Sequence, residues 1–240
     1  MPLEIEVVDD PGRACSAMLV GVAAGGGQIV LTGGSTPRVA YQEFVDAVDA
    51  VGIDVSGCTM WFGDERCVPP EDELSNYSMA NEAMFSRLGE TRMPTIHRIK
   101  GELGPDDGAD DYERVLRDAG SPRFDLVLLG IGPDGHCASL FPDQPSLNER
   151  SRSVVGVEHA GLEPYVPRVS MTLPRLAAAR QVVFLATGES KADAVAAAFG
   201  PRAKPDRHVP SSLLVPLAKE LKVLLDPAAA AGLGSEAGSA

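Results

Sequence analysis

Asp134 and His136 stand two residues apart in a Gly-rich turn that ends an apolar run, within FDLVLLGIGPDGHCASLFP from Phe124 to Pro142. An imidazole is the side chain most readily poised to take a proton near neutral pH, and a carboxylate two residues earlier can orient the ring and hold its charge. The chemistry this pair suits is attack by an activated water. A histidine that merely caps a turn is the plainer reading, but none of His97, His159 and His208 follows so clear a strand end. Cys137 next to His136 raises a thiol nucleophile as well; adjacent residues in a turn usually diverge, so water is the simpler partner.

Two further motifs suit an anion. In LTGGSTP, Leu31 to Pro37, Gly33 and Gly34 let the backbone approach a ligand, Ser35 or Thr36 can cap a helix, and Pro37 fits its first turn. A helix N-terminus behind glycines presents free N–H groups, so this loop can cradle a phosphate, although a simple strand-to-helix turn uses the same residues. Arg168 in PRVSMTLP and Lys191 in TGESKADA are basic residues near strand edges that would complete the neutralisation of such a phosphate if the fold brings them together. In WFGDERCVPP, Asp64, Glu65 and Arg66 follow an apolar strand directly, stiffened by Gly63 before them and Pro69 and Pro70 after. That setting suits a positioned carboxylate or guanidinium better than a solvated run of charge.

The elements that must hold these motifs alternate along the chain. Apolar, β-branched runs recur at 4–8, 28–32, 58–62, 124–130, 153–157, 181–186 and 222–225. Between most of them lie sets with helical spacing: Tyr41, Phe44, Val45 and Val48; Tyr112, Val115 and Leu116; Ala192, Val195, Ala196 and Phe199. Alternation of this kind predicts an α/β fold with a mostly parallel sheet covered by helices on both faces and with ligands at the carboxyl ends of the strands. A single α/β domain is expected over residues 1–226. The Gly/Ala/Ser-rich stretch 227–240 has little to bury and is expected to be a disordered tail.

Composition narrows the function classes. A chain of 240 residues, 44% hydrophobic and 23% charged, is that of an ordinary globular protein able to build one sizeable core. No apolar stretch approaches the ~18 residues of a membrane span, and Met1 to Val20 begins acidic, so neither a span nor a signal peptide is expected and the chain reads as cytoplasmic. A formal net charge of -13 repels nucleic acid and anionic membranes, so an anionic substrate must be met by a few convergent cations. Cys15, Cys58, Cys67 and Cys137 form no CxxC pair or zinc pattern and read as reduced thiols. Gly130, Gly132 and Gly135, with Glu158 about 20 residues on, imitate a dinucleotide fingerprint. Pro133 inside the turn and Pro142 and Pro145 beyond it leave no room for the long helix that motif needs, so NAD binding is rejected.

Taken in order, LTGGSTP, GDERCVPP followed by SNY, LLGIGPDGHCASLFP, RVSMTLP and GESKADAV resemble the 6-phosphogluconolactonases of the pentose phosphate pathway, from about Ile5 to Leu225. The resemblance implies a Rossmann-like fold shared with hexosamine-6-phosphate isomerases. It also implies hydrolysis of 6-phospho-D-glucono-1,5-lactone with no metal or organic cofactor. By the same likeness Gly33, Gly34, Ser35 and Thr36 with Arg168 and Lys191 hold the 6-phosphate, His136 activates water, Asp134 supports it, and Asp64 and Arg66 lie near the substrate. The tetrahedral oxyanion then needs a donor, either Arg66 or an N–H of the turn after Gly132. Cys137 stands where the family commonly has Thr, and GESK replaces a common GxxK variant preceded by His. A small-molecule phosphosugar lactone is the expected partner, with no nucleic acid and no membrane, for a monomer or weak homo-oligomer. Two alternatives remain. A glucosamine-6-phosphate isomerase or deaminase would carry a Glu where Phe141 stands, and a noncatalytic sugar-phosphate sensor would need no base and would normally carry a basic DNA-binding module.

Overall fold

The computed structural model describes residues 3–234. In chain order the elements are β1 (Leu3–Val7), α1 (Pro11–Ala24), β2 (Gln28–Leu31), α2 (Ser35–Val51), β3 (Thr59–Phe62), β4 (Asp64–Arg66), α3 (Asn76–Ala83) and β5 (Thr95–His97). They continue with α4 (Pro105–Asp118), β6 (Leu126–Leu129), β7 (Val154–Val157), β8 (Arg168–Met171), α5 (Leu173–Ala177), β9 (Gln181–Ala186), α6 (Ala192–Phe199) and β10 (Leu221–Leu225). Seven strands form a parallel sheet in the order β1-β10-β9-β6-β2-β3-β5. Successive strand side chains point to opposite faces, so the complete burial of β6 and of all but the first residue of β9 means that both faces are covered.

From β2 the chain crosses through α2 to β3 and then β5 on one side, whereas from β6 it proceeds to β9 and β10 on the other. The direction of winding therefore reverses between β2 and β6, and the crevice at their carboxyl ends is where such sheets bind ligands. Two buried tyrosines fix the strand ends beside it. The Tyr41 hydroxyl accepts from Thr32 N–H at 2.9 Å and donates to Thr32 C=O at 2.8 Å, and the Tyr112 hydroxyl accepts from Phe62 N–H at 3.0 Å. Tyr41, Phe44, Val45 and Val48 form the buried stripe of α2 that the spacing predicts.

Three features depart from the sequence reading. The run ending at Val157 is not part of the main sheet: β7 pairs antiparallel with β8, which pairs with β4, in a second three-stranded sheet. Val154 and Val157 are buried whereas Val155 and Gly156 are only half-buried, so β7 is less completely covered than β6 or β9. Strands β4 and β5 are three residues long and β4 is wholly charged, so neither carries a hydrophobic signal. Finally, the expected disordered tail does not begin at Pro227: Ala229 and Leu233 are buried, and the turn at Ala231–Leu233 packs on α6. Small residues make that possible, since a Cβ added to Gly232 would lie 2.8 Å from the Ala192 carbonyl oxygen. Residues 235–240 of that stretch lie outside the described residues. Among the described residues, no helix is long and apolar enough to cross a membrane.

Candidate active site

A cleft of about 240 Å³ opens at the switch point, between the loops that follow β2, β3, β6 and β9. Gly33, Gly34, Ser35, Thr36, Asp64, Arg66, His136, Arg168 and Lys191 all line it, although they come from five separate stretches of chain. Asp134 stands behind His136.

The turn after β6 is built around the imidazole. His136 Nδ1 lies 2.6 Å from Asp134 Oδ1, and the same oxygen accepts the His136 backbone N–H at 3.2 Å. A carboxylate only accepts, so the neutral form of the ring carries its proton on Nδ1 and its lone pair on Nε2. Burial pushes the Asp134 carboxyl up, but the hydrogen bonds and charge of His136 outweigh it and hold the group below its ordinary value. Gly132 is required here, because a Cβ would fall 2.0 Å from His136 Nδ1 and 2.5 Å from Asp134 Oδ1. The glycines make a compact turn rather than the head of a helix, and no α-helix follows before β7. The Phe141 ring rests 4.7 Å from the imidazole. Cys137 is fully buried and its thiol is pushed up to about 12 by desolvation, which removes it as a nucleophile near neutral pH.

The loop after β2 opens α2 without a protein cap. Ser35 and Thr36 were expected to supply one; instead they are the first two helical residues, and the cap position falls on Gly34, which makes no side-chain hydrogen bond. The end of α2 is thereby left with donors and a positive pole directed to the cleft. Thr36 Oγ1 is shared with Thr187 Oγ1 at 2.8 Å, which ties this loop to the one after β9.

Three cations face that helix end. Arg66 and Arg168 are directly opposite each other across the β4–β8 ladder, and with Lys191 they make no salt bridge among the described residues. Arg168 is pinned by the carbonyls of Val166 (3.0 Å from Nε) and Pro164 (2.7 Å from Nη2). Desolvation first, and then the charge of Arg66, lower it to about 10. Lys191 is likewise lowered by burial, with Asp134 opposing the shift. Arg66 donates from Nη1 to the Leu74 carbonyl at 2.5 Å, while its buried Nε has no partner among the described residues. Uncompensated like charges in a partly dry cleft are a site for an anion.

Several contributors were not singled out from sequence. Ser139 donates to Asp64 Oδ2 at 2.6 Å, and Asn76 Nδ2 reaches both the Asp64 carbonyl at 2.9 Å and Asp64 Oδ1 at 3.2 Å. Asn76 also packs so closely on Gly33 that a Cβ there would lie 1.8 Å from its Oδ1. Glu65 turns away from the cleft and secures the start of α3, accepting from the N–H groups of Asn76 (2.7 Å) and Tyr77 (2.8 Å) and from the Ser75 hydroxyl (3.0 Å). Burial raises its carboxyl even against those hydrogen bonds. Seating Asn76 in SNY at a helix start was the available signal, but its partners are invisible in one dimension.

The comparisons with known proteins agree with this layout. The profile of the family described as glucosamine-6-phosphate isomerases/6-phosphogluconolactonase matches residues 14–223. The chain is similar to the 6-phosphogluconolactonase of Homo sapiens, with 38% identity over 205 residues that cover 83% of this chain and 78% of that one. It is also 38% identical to the 6-phosphogluconolactonase of Streptomyces coelicolor over 186 residues, covering 73% of this chain and 71% of the relative. The solved structure of 6-phosphogluconolactonase from Trypanosoma brucei matches with a TM-score of 0.79 at 25% identity, over 97% of this chain and 99% of that one. The chain therefore belongs to the glucosamine-6-phosphate isomerase/6-phosphogluconolactonase family.

Proposed function

We propose that this chain hydrolyses 6-phospho-D-glucono-1,5-lactone to 6-phospho-D-gluconate, the lactonase step of the oxidative pentose phosphate pathway. The observation that carries the reading is the His136–Asp134 pair, 2.6 Å apart, in the same cleft as an uncapped helix end and three cations with no carboxylate partner among the described residues. A base and an anion anchor in one small cleft suit a neutral ester joined to a phosphate.

The 6-phosphate is held by the N–H groups and Ser35 at the start of α2 and by Arg168 and Lys191. Binding energy spent there, remote from the reacting carbon, orients C1 beside His136. As a water oxygen bonds to C1, its proton passes to Nε2 of His136, and Asp134 stabilises the imidazolium that results. The carbonyl oxygen becomes an oxyanion. Of its two candidate donors the turn is the weaker, because Gly132 N–H already serves His136 C=O, Gly135 N–H serves Gly132 C=O, His136 N–H serves Asp134, Asp134 N–H faces its own carboxylate, and Pro133 has none. The Arg66 guanidinium, which lines the cleft, is the better donor. Collapse then breaks the bond from C1 to the ring oxygen, which takes the proton back from His136, and the new carboxylic acid ionises to release acid.

The isomerase or deaminase alternative needs a carboxylate beside the histidine to open a sugar ring. Here that neighbour is the Phe141 ring. The sensor reading leaves the Asp134–His136 pair without a purpose. The test is wild-type protein on two substrates: acid release from fresh lactone above its spontaneous rate with no ammonia from glucosamine 6-phosphate supports the lactonase, and the reverse pattern refutes it.

A further inference from the structure

Asp226 follows β10 directly and belongs to none of the motifs discussed so far. Its register neighbour places it beside the end of β9, since Leu225 pairs with Ala186. Both of its carboxylate oxygens lie 3.0 Å from the backbone N of Gly188, and Oδ1 also accepts from Ala229 N–H at 2.7 Å. Gly188 is the hinge of the cleft's fourth loop. On its N-terminal side Thr187 shares a hydrogen bond with Thr36 at the start of α2, and on its C-terminal side the Gly188 carbonyl accepts from Lys191 N–H at 3.1 Å. The turn that Asp226 opens continues to Gly232 and Leu233, which pack on α6, the helix that Lys191 leads into.

We infer that Asp226 is a positioning residue for phosphate binding: by fixing Gly188 it sets the ammonium of Lys191 and the Thr187–Thr36 link at the helix end. The inference rests on the anchor role given above to Lys191. Asp226 touches no substrate and acts only through this loop. A charged acceptor on the part-buried Gly188 N–H, at the end of an interior strand, fixes where the loop leaves the sheet.

The variants that test it separate the two hydrogen bonds of Asp226. Asp226→Ser leaves a hydroxyl able to cap Ala229 N–H, as serine does in such turns, but removes the charge and the second oxygen shared with Gly188 N–H. Asp226→Asn keeps an acceptor oxygen for both. Binding of 6-phosphogluconate and of inorganic phosphate by calorimetry needs no turnover, so it is read separately from lactonase activity. For Asp226→Ser with unchanged melting, both ligands are expected to bind about tenfold more weakly, the scale of one weakened charged contact. KM should rise by the same factor while kcat stays within about threefold, as for loss of uniform binding. Asp226→Asn should restore most of the affinity. In a Lys191→Ala background the loss caused by Asp226→Ser should shrink to the part that runs through the Thr187–Thr36 link. Wild-type affinity in Asp226→Ser, or an undiminished effect in the Lys191→Ala background, would overturn the inference. Unaltered phosphate binding by Lys191→Ala alone would refute the anchor assignment itself, and the inference with it.

Discussion

At Asp134 two opposing effects meet, and their balance decides how the imidazole works. Burial favours the neutral acid, whereas the hydrogen bonds and charge of His136 favour the carboxylate and win, so the group stays ionised below the ordinary aspartate range. Replacing it with Asn removes the acceptor charge and permits the wrong tautomer at Nδ1. We predict that Asp134→Asn lowers kcat by about 10²–10⁴-fold with little change in KM, checked by steady-state lactone hydrolysis. The sign of the linked stability effect is also fixed. A depressed folded-state value contributes stability that is present above the unfolded value, near 3.9, and lost as pH falls through the folded one. The stability advantage of wild type over Asp134→Asn should therefore be full at neutral pH and shrink as the solution is acidified below about pH 4, read by denaturant titration at several pH values.

Between elements, the site depends on close contacts between the loop after β2, strand β4 and the start of α3. Asn76 is the clasp: it packs on Gly33 and donates to Asp64, whose other oxygen is bound by Ser139 from the turn after β6. Gly33→Ala would put a methyl 1.8 Å from Asn76 Oδ1 and must displace that side chain. Overpacking of this kind costs about 1–3 kcal/mol, and it would also free Asp64 within the cleft. We expect Gly33→Ala to lower stability by that amount in a denaturant titration and to raise KM, whereas a substitution at exposed Val51 should do neither. An unchanged KM in a folded Gly33→Ala variant would show that the contact is dispensable.

Across the whole molecule, a chain of net charge -13 gathers three cations, Arg66, Arg168 and Lys191, at one crevice. A cation such as Arg168, lowered to about 10 by desolvation and by Arg66, is a strain on the folded state at neutral pH that an anion relieves. Phosphate or 6-phosphogluconate at a hundred times Kd should add about 2.7 kcal/mol of stability, a rise of about 5–10 °C in Tm for a chain of this size. Arg168→Ala should lose most of that rise, and an equal rise in the variant would argue against a role for Arg168 in holding the anion. What sequence made legible follows the same division. The glycine loops, Asp134, His136 and the sheet that carries them were readable because each follows an apolar strand, and strand ends in parallel sheets are where sites form. Asn76, Ser139 and Asp226 were not, because an isolated polar residue carries no periodic signal and their partners lie 12, 75 and 38 positions away. The pairing of β4 with β8 was hidden for a related reason: three consecutive charged residues do not look like a strand until their partner is known.

The central claim is that His136 is the base, and kcat for lactone hydrolysis by His136→Ala at saturating substrate, corrected for spontaneous opening, tests it most directly. With His136 as the base, kcat falls by about 10²–10⁴-fold while 6-phosphogluconate still binds at near wild-type affinity. A folded His136→Ala protein that retains wild-type kcat would contradict it.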